Sequence, residues 1–274
     1  MFTNAIQIVK RWDWRRIIFT ILAGVVTYFL LTNLFRLTAP WASMGWYPHD
    51  DPRQLNPDLH RWHEAMWGAV TGILNAGVLL SLLWRPRETP LLIQFIAFVV
   101  IGAALIVLPF EPGLIFVIFM LTLVVVTYPR SRALLDFSRE GPLSRPLLIF
   151  SLVAAVLLVP YMVRLELWQI RGIGGEHATA NQWVSDVEHS SFLLIAMFLA
   201  STKRPGWQIL SILTGIVFIY LGIAALALPN QAGSWGVAGG IVALIGGLLY
   251  LVVSIREARR TVQNPREVLP SIAS

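Results

Sequence analysis

The chain has 274 residues, of which 56% are hydrophobic and 13% are charged, and its formal net charge is +6. Soluble globular proteins carry about 25% charged residues, so this composition indicates that lipid is the main solvent. The chain contains no cysteine, which excludes disulfides, thiolate metal sites, iron–sulfur clusters and thiol catalysis.

Eight apolar stretches approach the roughly 20 residues that a membrane-spanning helix needs. In chain order they cover residues 17–37, 62–84, 91–109, 114–129, 147–166, 188–202, 207–228 and 236–255. The first is too long for the apolar region of a cleaved signal peptide, so we expect an uncleaved span. The fourth and sixth are short, and the sixth would lengthen if it began at Asp186. The sequence predicts an all-α polytopic membrane protein of about eight transmembrane helices, with seven as the alternative.

Lysine and arginine are concentrated in alternate connections between these stretches. With the N-terminus in the cytoplasm, 16 of the 21 basic residues lie inside and 9 of the 15 acidic residues lie outside. The positive-inside rule then predicts a protein integral to the cytoplasmic (inner) membrane, with both termini cytoplasmic and all five histidines on the outer side. The basic residues form no continuous face, so we expect the lipid bilayer and other membrane subunits, and no nucleic acid, as partners.

The two halves of the chain share a series of landmarks. Each has a basic start, a span, an arginine, two histidines and three further spans, the second of which ends in Leu-Pro. The matched pairs are Arg36 with Arg164, His49 with His177 and His63 with His189. This pattern predicts two parallel-oriented four-helix repeats, residues 1–130 and 131–260, in one integrated membrane domain. Residues 261–274 would form a C-terminal cytoplasmic tail.

Two outer loops hold nearly all residues that could carry chemistry, and both mix imidazole with carboxylate. The candidate metal ligands are His49, His60, His63, Glu64, His177, Asp186 and His189. If the second span begins near Asp58, the side chains of His60, His63 and Glu64 share one helix face, because they are three and four residues apart. Neutral imidazoles in such a position can bind a transition metal, although no His-Glu-x-x-His motif is present.

Three interpretations of these loops compete. In the first, two to four histidines and a carboxylate hold Zn, Cu, Fe or Mn, and a metal-bound water acts as nucleophile. In the second, His63 and His189 are the axial ligands of a haem whose propionates pair with Arg36 and Arg164. In the third, the loop residues are solvated or cap helices, and the two arginines extend to lipid phosphates.

The leading functional hypothesis is a membrane protein that binds a metal ion or redox cofactor at its extracytoplasmic face. It would serve a membrane-embedded metalloenzyme or a redox complex, and the sequence does not decide whether the protein is an enzyme. The first alternative is a non-catalytic accessory subunit of a larger respiratory, photosynthetic or transport complex. The second alternative is a transporter, but the spans carry no acidic or basic residue near their middle, which disfavours a proton-driven carrier.

Overall fold

The computed structural model describes residues 14–42, 57–84, 89–107, 109–111, 114–130, 134–135 and 142–263. These ranges are helical and contain no strand. The helices are α1 (Trp14–Thr38), α2 (Asp58–Trp84), α3 (Pro90–Val107), α4 (Ile115–Thr127), α5 (Arg145–Ile170), α6 (Glu176–Thr179), α7 (Gln182–Ser201), α8 (Trp207–Ala227) and α9 (Gly236–Gln263). The predicted all-α architecture is therefore confirmed for this part of the chain.

Seven of these helices, all except α4 and α6, are long and apolar enough to cross a membrane. Helix α4 has 13 residues, a length of about 20 Å, which is less than the roughly 30 Å of a bilayer's hydrocarbon core. An eighth span and the four-plus-four repeat stay predictions. Helix α7 begins six residues before the predicted start at 188, because polar side chains in its first turns are buried in protein rather than exposed to lipid.

Helix α7 lies in the centre of the bundle, and α1, α5 and α9 lie at its periphery. Most of α7 is buried, whereas α5 and α9 expose rows of large apolar side chains.

Helices α8 and α9 pack along their length. A Cβ atom at Gly222 would lie 2.5 Å from the Leu244 nitrogen, and one at Gly247 would lie 2.9 Å from the Ile219 nitrogen. Small residues thus form a close helix–helix seam at Gly247 and at Gly240, which faces Gly222.

The start of α2, helix α6 and the start of α7 meet at one end of the bundle, which we call the histidine end. The Gln231 side chain, in the α8–α9 connection, donates to the Asp58 carbonyl at 2.7 Å and accepts from the Trp62 amide at 3.2 Å. Asn181, before α7, donates to the carbonyl of Phe110 at 3.0 Å. These bonds hold the connections of distant helices together around one site.

Candidate metal centre

The imidazoles of His60, His63 and His177 form a cluster at the histidine end. One ring nitrogen from each can be chosen so that all three lie within 4.8 Å of one another. The ring centroid of His177 is 4.8 Å from that of His60 and 5.1 Å from that of His63. The three residues are only 0%, 2% and 8% exposed. Buried polar groups are normally satisfied by a partner, so three imidazoles packed against one another indicate a ligand site.

The first turn of α2 supplies two of these histidines. His60 ends a 3₁₀ turn at Pro57–His60, and the α-helix begins at Arg61. The Arg61 guanidinium donates to the carbonyls of Ala39 and Pro40 at 2.7 and 2.6 Å, which anchors this turn to the end of α1. His60 and His63 then point to the same side because they are one helical turn apart.

The loop between α5 and α7 supplies the third histidine. Gly174 has φ +95°, and a Cβ atom there would lie 2.8 Å from Cζ2 of Trp183, so this position requires glycine. The Trp183 indole donates to the Ile173 carbonyl at 2.8 Å. Its ring packs against His177 and His63, with centroid distances of 4.8 and 5.3 Å. The glycine-containing loop and Trp183 together place His177 beside α2.

A carboxylate lies beside two of the three histidines. His60 Nε2 is 3.0 Å from Glu176 Oε1, and His63 Nδ1 is 3.0 Å from Asp186 Oδ2. Asp186 is fully buried. Its Oδ2 accepts a hydrogen bond from the Trp62 indole at 3.2 Å and lies 3.2 Å from the Tyr161 hydroxyl. Both carboxylates therefore lie beside a ring nitrogen of the cluster, where they can orient the rings.

The remaining ring nitrogens are available to a ligand. His60 Nδ1, both ring nitrogens of His63 and His177 Nδ1 are buried and have no hydrogen-bond partner among the described residues. A carboxylate can only accept a hydrogen bond, so a neutral His60 carries its proton on Nε2 and a free lone pair on Nδ1. Metal-ligating histidines characteristically bind the ion through one nitrogen and a carboxylate through the other. His60 has this arrangement. For His63, Asp186 Oδ2 lies 3.0 Å from Nδ1 without forming a hydrogen bond to it.

His177 lies outside the membrane-spanning helices. Burial, with the neighbouring His63 and His60, lowers the pKa of His177 to about 4. His177 is consequently a neutral imidazole at pH 7, which is the form that binds metal ions.

His189, also predicted as a metal ligand, lies outside the three-histidine cluster. Its Nε2 is 3.3 Å from the Thr71 hydroxyl and its Nδ1 is 3.3 Å from the Ser185 hydroxyl. Its ring packs on Trp67 with a centroid distance of 5.4 Å. His189 therefore has a polar neighbour at each nitrogen and is accommodated as a structural residue between α2 and α7.

Glu64 and Arg36 form an ion pair with each other. The Arg36 guanidinium also lies 5.2 Å from the ring centroid of Trp67. Helices α1 and α2 approach closely here, since a Cβ atom at Gly68 would lie 3.0 Å from the Leu37 nitrogen and 3.1 Å from the Arg36 carbonyl carbon. Arg36 and Glu64, both predicted site residues, thus neutralise each other. Neither this ion pair nor the environment of His189 supports the haem alternative.

The other predicted residues have separate positions. Arg164 lies over the ring of Trp168 at 5.0 Å, on the outer side of α5. His49 lies outside the described residues, so its predicted pairing with His177 stays a prediction. The repeat leaves His60 without a counterpart. In the structure, His60 is the third member of the cluster with His63 and His177. The cluster thus combines two residues of one predicted half with one of the other.

Sequence reasoning missed several residues that shape the site. Trp62 and Trp183 fit the pattern of interfacial tryptophans, yet both are buried against the histidines or their carboxylate. Their position next to the His/acid segments is a signal that could have found them. Tyr161 and Gly233 gave no such signal, because they are distant in sequence and lie in apolar or loop segments.

No protein family, curated protein or solved structure matches the chain. The functional assignment therefore depends on the geometry of the histidine end.

Proposed function

We propose that this protein binds one divalent transition-metal ion through His60, His63 and His177. The observation that carries the proposal is a cluster of three buried imidazoles, each with a ring nitrogen that has no partner among the described residues, beside the carboxylates of Glu176 and Asp186. Three imidazoles with a fourth position left for water or substrate are typical of catalytic zinc sites. Copper and iron also accept imidazole ligands, so Zn²⁺ is the first of several ions to test.

The observed spacing requires a modest closure of the site. A tetrahedral zinc ion with Zn–N bonds of 2.0–2.1 Å separates its ligand nitrogens by about 3.3 Å. Here one ring nitrogen from each histidine can be chosen so that the three lie within 4.8 Å of one another. His177 is on α6, a four-residue helix in a connection, and His60 and His63 are on α2. A shift of roughly 1.5 Å in that connection would complete the site.

The fourth coordination position gives the proposal a chemical consequence. Asp186 Oδ1 is buried and accepts no hydrogen bond from the part of the chain that the structure describes. Asp186 would be the base available to a water bound at that position, and the metal ion would supply the acidity that makes such a water a nucleophile at neutral pH. Metal-assisted hydrolysis is the reaction class that this arrangement favours.

The distribution of charge supports a location at the extracytoplasmic face of the inner membrane. The histidine end holds few lysines and arginines, and the basic residues are concentrated in the opposite connections. The positive-inside rule would then place the opposite end and both termini in the cytoplasm. Association with other membrane subunits stays a prediction.

Metal content of the detergent-purified protein tests the proposal. The protein is stripped with a chelator, reloaded with ZnCl₂ in one sample and with copper or iron salts in others, and desalted, and metal per chain is measured by elemental analysis. We expect one zinc ion per chain in the wild type and fewer than about 0.1 in the triple variant with His60, His63 and His177 changed to alanine, since loss of all three donors removes the site.

The matched control is His189→Ala, which removes a buried histidine from the same region but outside the cluster. It should keep one zinc per chain. A wild type that binds no metal from any of the three salts, or a triple variant that binds as much as the wild type, would overturn the proposal. Circular dichroism of each variant establishes that the loss of metal is not a loss of fold.

A further inference from the structure

A second feature of the molecule is a groove between α5 and α9 on its lipid-facing side. Its volume is about 510 Å³, and its walls are apolar or small side chains, such as Val153 and Leu157 of α5 and Val242 and Gly246 of α9. This volume lies within the roughly 300–1,000 Å³ of ligand sites. The lining extends along α9 from Trp235 to beyond Gly246.

The groove is long enough for an acyl chain. Tyr250 is the last lining residue, and its distance from Trp235 along the helix is about 22 Å at 1.5 Å per residue. One leaflet of a bilayer has about 15 Å of hydrocarbon, half of the roughly 30 Å core. A groove of this length and composition can therefore take a whole acyl chain from the outer leaflet.

The end of the groove nearest the histidines is polar and basic. Arg164 lines it, and its position six residues before the end of α5 places it about 9 Å below that end. Its guanidinium lies over Trp168 and makes no ion pair with any residue that the structure describes. Trp235 Nε1 is buried there, and none of the described groups accepts its hydrogen bond. One cation and one N–H donor are thus available to an anionic acceptor.

We propose that this groove binds one anionic phospholipid of the bilayer, with an acyl chain between α5 and α9 and the phosphate at Arg164. A guanidinium matches a phosphate with two parallel hydrogen bonds, and an unpaired arginine at this depth in lipid is costly. A zwitterionic or uncharged lipid would fill the apolar walls equally well but would compensate the arginine less. Charge complementarity therefore selects the anionic lipid.

The groove adjoins the histidine end but does not depend on a metal there. The Tyr161 ring lines the groove, and its hydroxyl donates to the Gly233 carbonyl at 2.8 Å. The same hydroxyl is 3.2 Å from Asp186. Lipid binding can be tested on metal-free protein, so a failure of the metal proposal and a failure of this one are separate results.

Native mass spectrometry of the metal-free protein in detergent tests the lipid site. Phosphatidylglycerol and phosphatidylcholine with identical acyl chains are added at equal concentration. We expect one retained phosphatidylglycerol per chain, with at least tenfold preference over phosphatidylcholine. Arg164→Gln should reduce that preference to less than threefold, because it removes the charge and leaves the apolar walls intact.

A second variant tests the acyl part of the site. A Cβ atom at Gly246 meets nothing within 4 Å, so Gly246→Leu should fill the groove without a clash and prevent retention of either lipid. The matched control is Gly24→Leu on α1, whose Cβ also meets nothing within 4 Å. That variant should retain phosphatidylglycerol like the wild type.

Two outcomes would overturn the proposal. The first is equal retention of the two lipids by the wild type, or retention that neither Arg164→Gln nor Gly246→Leu changes. The second is occupation of the groove by another copy of the chain. Because the chain has no cysteine, Val242→Cys introduces a single thiol in the groove, and efficient disulfide-linked dimers in lipid bilayers would identify the second copy as the occupant.

Discussion

The two ends of the bundle both bury ionisable groups, but they satisfy them differently. At the end opposite the histidines, Glu257 accepts from Lys203 at 2.6 Å, from the Ser144 hydroxyl at 3.1 Å and from Arg260 at 3.2 Å. At the histidine end, three imidazoles face one another and keep nitrogens for which the described residues provide no partner.

This difference separates a structural cluster from a cluster that could hold a metal ion. The Glu257 cluster joins the α7–α8 turn, the start of α5 and the last turns of α9, and the Glu257 carboxylate neutralises the buried Lys203. The histidine cluster has carboxylates beside two of its rings, but none of the described residues bonds to the remaining ring nitrogens. Buried polar atoms without partners are uncommon in native proteins and require an explanation, and a metal ion would supply one at the histidine end only.

The largest effect is expected from Glu257→Ala at the opposite end. The substitution leaves Lys203 buried without its carboxylate, and removal of one partner of a buried ion pair costs about 3–5 kcal/mol. Thermal unfolding in detergent should therefore move to a much lower temperature. Zinc per chain should not change while the protein is folded.

Arg260→Ala is the control for this comparison. The Arg260 side chain is 76% exposed, and an exposed ion pair contributes about 1 kcal/mol or less. If Glu257→Ala were as mild as Arg260→Ala, the opposite end would not be a structural cluster.

The next effect is stabilisation by the metal at the histidine end. At a free zinc concentration 100 times the dissociation constant, binding to the folded state alone stabilises it by about 2.7 kcal/mol. We expect the unfolding temperature of the wild type to rise by roughly 5–10 °C. The same titration of His177→Ala should give no rise, and an equal rise in that variant would mean that zinc acts elsewhere on the protein.

A smaller effect is expected when only the orientation of a ligand changes. Asp186→Asn keeps the size of the side chain but removes the charge beside His63 Nδ1. Loss of such an outer partner weakens metal binding by about 10–100-fold, which competition with a zinc chelator measures. Ser185→Ala is the neighbouring control, because the Ser185 hydroxyl lies beside His189 and not beside the cluster. Equal zinc affinity of the wild type and Asp186→Asn would exclude the carboxylate from the site.

Much of the fold could be predicted because long apolar runs reflect a lipid environment directly. The exception is the start of α7, where Ser185, Asp186 and Glu188 are buried between other helices. A hydropathy pattern counts such polar residues as lying outside the membrane. The predicted start of α7, at residue 188, is therefore later than its observed start at Gln182. Protein–protein burial inside a membrane bundle has no signature in a single sequence.

The candidate site was predictable only in part, for a related reason. The pairing of His60 with His63 follows from their spacing of three residues on one helix. The approach of His177 depends on a loop in which Gly172, Gly174 and Gly175 all have positive φ. Spacing along the chain does not determine the path of such a loop. The repeat pattern therefore pairs His63 with His189. Tertiary packing instead places His60 and His177 beside His63.

The smallest effect is expected from Gly233→Ala, which tests whether the packing around the cluster controls metal affinity. Gly233 has φ +80°, and a Cβ atom there would lie 3.0 Å from Cε1 of His63 and 3.1 Å from Oδ2 of Asp186. The methyl group would displace both side chains slightly, so we expect zinc binding to weaken by less than tenfold, as measured by chelator competition. Gly236→Ala is the matched control, because its φ is +67° but its Cβ would meet only the Pro229 carbonyl oxygen, at an ordinary 3.6 Å. Both variants bear the backbone cost of about 1–2 kcal/mol for a left-handed alanine, and only Gly233→Ala presses on the site. A zinc affinity that falls equally in both would attribute the loss to backbone strain, and one that falls only in Gly233→Ala would show that contact with His63 and Asp186 tunes the metal site.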